Sequence, residues 1–168
     1  MRRIDREMPA EFAYDVTDRC EYATLSMTDP EGLPYCLPVT IVRDVREENT
    51  IYFHCAKDGF KVQCLRANPQ VCLACVCDTH IIAEKFTTEF SSAILRGTAS
   101  EVTDDAEKIH ALWLLCQRHT PAGMDGFDAA VAQSLSRTAV WKIRISEITG
   151  KRKKYDRHGE EMKFGREE

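Results

Sequence analysis

The chain lacks any long apolar run, and its opening MRRIDREMPAEF has basic residues with no apolar segment behind them. A membrane-spanning helix needs about 20 predominantly apolar residues and a secretory signal needs a shorter apolar stretch, so neither is expected and the cytoplasm is the default location. Glycine (8) and proline (6) are sparse, and no repeat or low-complexity tract appears, which argues against a fibre or a disordered chain. No G-x-G-x-x-G turn is present; this excludes the usual dinucleotide fingerprint but not a transiently bound nicotinamide donor. No second C-x-x-C and no H-x-x-x-H accompanies the one in CLACVC, so a zinc tetrad is incomplete. Positive charge is in short supply too. Net charge is −4, and residues 150–168 hold seven Lys/Arg against five Asp/Glu, which leaves −6 for the rest. An acidic body is a poor partner for nucleic acid. The short basic run KRKKYDRHG reads as the start of a charged, solvated C-terminal tail over 156–168.

What is present suits one domain, residues 1–155, with a substantial core: 168 residues, 43% hydrophobic and 30% charged. Eight cysteines stand at Cys20, Cys36, Cys55, Cys64, Cys72, Cys75, Cys77 and Cys116. Without an export signal, reduced thiols are expected rather than disulfides. QVCLACVCD has the look of a buried strand, on which Cys72 points opposite to Cys75 and Cys77. Side chains that alternate in this way act as small buried hydrophobes, with a cysteine-rich metal site as the competing reading.

Turn chemistry and period-two patterning place the early elements. ATLSM, the turn TDPEG, LPYCLPVTIV, the polar RDVREENT and IYFHCA together predict a three-stranded antiparallel meander. In the third strand Ile51, Phe53 and Cys55 share one face while Tyr52 and His54 share the less apolar one. The spacing of Phe60, Cys64 and Leu65 predicts a short helix from about Gly59 to Ala67, with Asp58 as N-cap and Pro69 as its stop. Lys61 in the first helical turn opposes the positive end of the helix dipole, at a cost of about 0.3–1 kcal/mol. Either an anion bound there reverses that cost, or the lysine is a solvated stem loosely paired with Asp58. Later segments 91–102 and 138–148 read as strands, the second with Ala139, Trp141, Ile143 and Ile145 on one face. Between them, a helix capped by Thr103 carries Ile109, Trp113 and Cys116, and DAAVAQSLSR forms another helical stretch; His110 and His119 receive no role. The class is α+β on an antiparallel sheet that closes into a barrel.

The succession YCLPVTIV, IYFHCAKDGFKVQCLRANPQVCL and SSAILRGTASEV, with MRRIDREM before it and AVWKIRISEITGKR after, resembles the nitroimidazole resistance (Nim)-like family of pyridoxamine 5′-phosphate oxidase-related flavoproteins. The resemblance runs from Met1 to about Lys154. It implies an FMN-binding split barrel with peripheral helices and a homodimer with the flavin between subunits. It further implies an FMN phosphate at Gly59, Phe60 and Lys61, and flavin-lining positions at Leu37, Pro38, Val39 and Thr40, with Pro38 interrupting the strand ladder. His54, Cys55 and Ser92 match positions that meet the flavin, and Trp141 follows by alternation. Two departures stand out. FTTEFSSAIL lacks the aromatic and basic residues common before the later strand, and Phe60 replaces an arginine that usually helps hold the phosphate, so the phosphate would depend more on backbone donors or on a charge from Arg3, Arg6 or a second subunit.

The implied function is that of an FMN-dependent oxidoreductase of small acceptors, fed by an unidentified electron donor, with His54 as the residue that tunes proton transfer. A structural cross-strand histidine is the alternative for His54, and burial disfavours Cys55 as a nucleophile. The alternative for the whole chain is a noncatalytic flavin- or haem-binding module, since the fold does not fix the chemistry. A small-molecule substrate is expected as partner, with no nucleic acid and no membrane.

Overall fold

Apolar residues recur at every second position over most of the chain, and wherever they do the backbone is a strand. A computed structural model describes residues 2–47 and 49–166. The strands are β1 (Glu7–Met8), β2 (Ala23–Thr28), β3 (Pro34–Val39), β4 (Val42–Asp44), β5 (Thr50–Ala56), β6 (Gln70–Ile82), β7 (Thr87–Glu101) and β8 (Thr138–Lys153). The helices are α1 (Ala10–Arg19), α2 (Phe60–Ala67), α3 (Asp105–His119) and α4 (Phe127–Ser134). Every pairing is antiparallel, in the order β3-β2-β6-β7-β8-β5-β4, with β1 added to β8. The two end strands, β3 and β4, are joined by Thr40 and Ile41 alone. Two residues span only about 7 Å, so the sheet must curl until its edges nearly meet. This is the expected α+β split barrel.

The curl corrects the expected meander. LPYCLPVTIV is not one strand: it breaks at Thr40–Ile41, and its halves pair with β2 on one side and β5 on the other. Val39, Ile41 and Val42 are all buried, so both sides of the corner bury apolar groups and no period-two pattern survives there. Pro38 does not interrupt the ladder either; it stays in register opposite Thr24, tolerated because β3 is an edge strand.

Two cores result. The inner one gathers Leu25, Ile51, Phe53, Leu73, Leu95, Trp141 and Ile143 with Ala13 and Val16 of α1 and Val62 and Leu65 of α2. The other lies on the opposite face of β4, β5 and β8, where Val42, Tyr52 and Val140 pack under Ala111, Leu112 and Leu115 of α3. Each fully buried aliphatic or aromatic side chain contributes about 1.5–3 kcal/mol. α1 was not foreseen, because its buried stripe is Ala13, Val16 and Thr17, too small and too polar to announce a helix. α3 begins one residue later than expected, with Asp104 rather than Thr103 capping the Glu107 N–H at 2.8 Å.

The segment expected to be a free charged tail is folded as far as it is described. Asp156 Oδ1 accepts the His158 and Glu160 N–H groups at 2.9 Å each, Tyr155 bridges to Glu161, and Met162 is buried. The expected outer limits at residues 1 and 168 lie outside the described residues.

Candidate functional site

α2 starts on a glycine for a physical reason. Gly59 has φ 131° and ψ 167°, a conformation L side chains rarely adopt, and it serves as N-cap with no side-chain acceptor. Asp58 therefore does not cap the helix as the sequence suggested. The Val62 and Gln63 N–H groups fold back to the Gly59 carbonyl at 3.0 and 3.1 Å. The Phe60 and Lys61 N–H groups have no acceptor among the described residues, and nothing lies within 4 Å of where a Gly59 Cβ would sit. Lys61 forms no ion pair among the described residues; its ammonium lies 5.7 Å from the Phe53 ring. Phe60 is half-exposed and meets Tyr35 of β3 edge-on, with ring centroids 5.0 Å apart. Free donors, an unpaired cation and open space thus coincide, an arrangement that suits a phosphate. Arg3 and Arg6, proposed as helpers, are engaged elsewhere: Arg3 with Asp5 at 2.6 Å and Arg6 with Glu161 at 2.5 Å.

Of the anticipated residues, Gly59, Phe60 and Lys61 form the helix start itself, and the others lie elsewhere on the barrel. β3 comes to α2 through Tyr35 and Phe60, and β5 comes to it through Phe53 and Lys61. Leu37 packs towards the inner core and Val39 is part of it, while Pro38 and Thr40 face outward and are exposed. Cys55 borders the inner core, and burial, only partly offset by Lys61, pushes its thiol up; it is a poor nucleophile. His54 points the other way, opposite Val140, towards His119 of α3. Although His54 is exposed by surface area, partial desolvation of its ring, then Lys61, then His119 shift its pKa downward, which favours the neutral form. Trp141 lies opposite Phe53 in the β5–β8 ladder, 2% exposed within the core, and its indole N–H has no acceptor among the described residues.

Ser92 is not beside α2, yet it shares a surface with Pro38. Residues opposite one another in a ladder point to the same face, and Pro38, Thr24, Ala74 and Ile94 form one such row across β3, β2, β6 and β7. Ser92 lies one step along that face, about 14 Å from β3 across three strand spacings, with its hydroxyl on the Lys151 carbonyl at 3.4 Å. The face mixes polar groups with exposed apolar ones: Tyr22, Val76 and Ile94 are 58%, 49% and 39% exposed. A cleft of about 580 Å³, lined among others by Arg19, Tyr22, Thr24, Ala74 and Val76, opens on it. Sequence reading missed these residues of β2 and β6. Their alternation was visible, but nothing local told which face would stay uncovered.

The cysteines alternate as expected: Cys75 is buried inward, and Cys72 lies on the outer face. Among the described residues no three His, Cys, Asp or Glu side chains gather to a metal-sized group, and no helix is long and apolar enough to cross a membrane. The missed residue with the clearest structural signature is Arg118. Its guanidinium donates to the Ile41 carbonyl at 2.8 Å, Thr17 at 2.9 Å and Cys20 at 2.6 Å, tying α3 to the barrel corner and to the end of α1.

With this geometry in view, comparison with known proteins is informative. Residues 10–152 match the family model described as pyridoxamine 5′-phosphate oxidase. No curated protein matches the chain. A candidate 5-nitroimidazole antibiotic resistance protein from Bacteroides thetaiotaomicron superposes with a TM-score of 0.70 at 22% identity, over 86% of this chain and 85% of that one. An FAD-binding protein from Mesorhizobium loti gives 0.64 at 20% identity, over 88% and 96%. The flavocytochrome Anf3 from Azotobacter vinelandii gives 0.72 at 21% identity, over 90% and 72%. At such identities the three structures attest the fold, while the family match spans most of the sequence. The chain belongs to the pyridoxamine 5′-phosphate oxidase family.

Proposed function

We propose that this protein binds FMN as a homodimer and is an oxidoreductase of small acceptors. The observation that carries the reading is the start of α2, where two free N–H groups, the Gly59 turn and the unpaired Lys61 ammonium converge on open space. Lys61 and the Phe60 and Lys61 N–H groups would hold the phosphate dianion. Thr40 and Pro38 would border the ring system, with Leu37, Val39 and Cys55 supporting them from beneath. Ser92 lies about 14 Å away on the same outer face, within reach of a flavin shared by two subunits. FMN, when bound, supplies the electron transfer chemistry. His54, its neutral form favoured by its surroundings, would present one ring nitrogen as donor and the other as acceptor, and so pass a proton to or from a bound acceptor. A partly apolar outer face left open by its own chain supports a second copy as the cover, and reduced thiols fit a cytoplasmic setting.

The second reading, a noncatalytic flavin- or haem-binding module, is favoured by one observation: a neighbour of 18% identity from Mycobacterium smegmatis is an FAD and haem binding protein. Purified protein incubated with FMN and gel-filtered decides first. The parent should keep flavin absorption, and Lys61→Ala should weaken binding about tenfold or more, the effect of one charge-assisted hydrogen bond. A parent that stays colourless contradicts the proposal. Bleaching by a nicotinamide donor and recolouring by a nitroaromatic acceptor separates the enzyme from the passive module.

A further inference from the structure

A second cleft, of about 390 Å³, lies where α1 crosses the ends of β7 and β8. It exists because β6 bulges between Cys77 and His80, with Asp78 at φ 53°, so that the ladder parts beside Phe90 and Ser91. Four cations, Arg19, Arg152, Lys153 and Lys154, line it against two carboxylates, Asp78 and Glu89. Both carboxylates are already engaged. Asp78 is paired with Arg19 at 2.8 and 3.0 Å, which holds its carboxyl down at about 2. Glu89 accepts the Tyr155 N–H at 2.7 Å and faces His80 at 3.0 Å. Lys153 bonds the Thr87 hydroxyl. Arg152 and Lys154 form no salt bridge among the described residues; the Arg152 Nη2 donates to the Arg166 carbonyl at 2.6 Å, while its Nε–H is buried with no acceptor among those residues. A buried guanidinium donor without an acceptor is destabilising, and an anion would relieve that penalty. The apolar walls are the rings of Phe12, 5.9 Å from the Arg152 guanidinium, and Phe90, 5.4 Å from the Lys151 ammonium.

We infer that this cleft binds a small aromatic carboxylate, its carboxylate on Arg152 and Lys154 and its ring against Phe12 and Phe90. The site is separate from the α2 start and does not rest on the flavin reading. Both parts of the recognition are needed: the cations select the charge, and the two phenyl walls select a flat apolar body over a hydrated inorganic anion.

Benzoate is the probe, with benzyl alcohol and acetate as the charge-free and ring-free controls, titrated calorimetrically into the full chain as purified. Saturable binding of one benzoate per chain is expected, with each control at least about tenfold weaker and Arg152→Gln reducing benzoate affinity about tenfold. Lys61→Ala should leave benzoate binding unchanged, which keeps this result distinguishable from failure of the flavin reading. Should Arg152→Gln not fold, Lys154→Gln and the side-chain Nε–H resonance of Arg152 in the parent take its place: affinity should fall several-fold and the resonance should move on titration. Absent saturation, equal binding of benzyl alcohol, or undiminished affinity in the cation variants would overturn the inference.

Discussion

The sheet has two outward regions, and the chain treats them oppositely. On β4, β5 and β8 the outer face is roofed by α3, and several polar groups beneath that helix are given partners, although the buried Thr50 hydroxyl has none among the described residues. The His110 ring meets Asp44 at 2.7 Å, the Tyr52 hydroxyl and the Lys142 ammonium share Glu107 at 3.0 and 2.7 Å, and Arg118 takes three carbonyls. On β3, β2, β6 and β7 the outer face has no roof, and Tyr22, Val76 and Ile94 remain exposed. Exposed apolar rows of this kind mark places where something else sits. The difference separates two kinds of surface: the roofed side commits most of its polar groups to internal partners, His54 excepted, whereas the start of α2 at the border of the bare side keeps its N–H donors free among the described residues.

In the β7–β8 ladder, which joins the two regions, the register slips between Arg96 and Gly97. A Cβ on Gly97 would lie 2.3 Å from the Arg144 carbonyl oxygen, which is backbone and cannot step aside. Gly97→Ala is therefore expected to have the largest effect on stability, about 3 kcal/mol in a urea melt. Arg118→Ala, which cuts the roof from the barrel corner, should cost about 2 kcal/mol by the same measurement and expose α1 to faster amide exchange. Val76→Glu, on the bare face, should change the stability of the separated chain by less than about 0.5 kcal/mol; a large loss would mean that the face is not free.

The smallest effect is electrostatic. His54 has a folded pKa below its unfolded value, so the unfolded chain binds more protons as pH falls below about 6.5, and stability should decline in that direction until the folded pKa is passed. An NMR titration should place the His54 midpoint below that of a free histidine, and Lys61→Met should move it upward. A midpoint that ignores Lys61 would separate β5 from the helix start.

How much of this was legible in the sequence depended on whether the deciding interaction was local. Period-two runs gave β5 and the Trp141 face correctly, and the glycine, lysine and helix pattern of DGFKVQCL marked the start of α2. The Gly59 cap and the break at Thr40–Ile41 were not legible, because the first follows from a backbone conformation and the second from closure of the sheet edges. Pro38 and Ser92 could be named one by one through resemblance. That they share a face was a matter of register across four strands, set by pairs such as Thr24 with Ala74 that no single segment contains. The tail was misread for a similar reason, since Met162 and the Asp156 turn acquire meaning only once folded back on the barrel.

Gel filtration with light scattering and absorbance read together, on FMN-treated parent and on Val76→Glu, tests the central claim most directly. The account predicts a parent of twice the chain mass carrying one flavin per chain, and a folded Val76→Glu chain that loses both the partner and the flavin. A single chain that keeps its flavin, or a Val76→Glu dimer that binds flavin as the parent does, would contradict it.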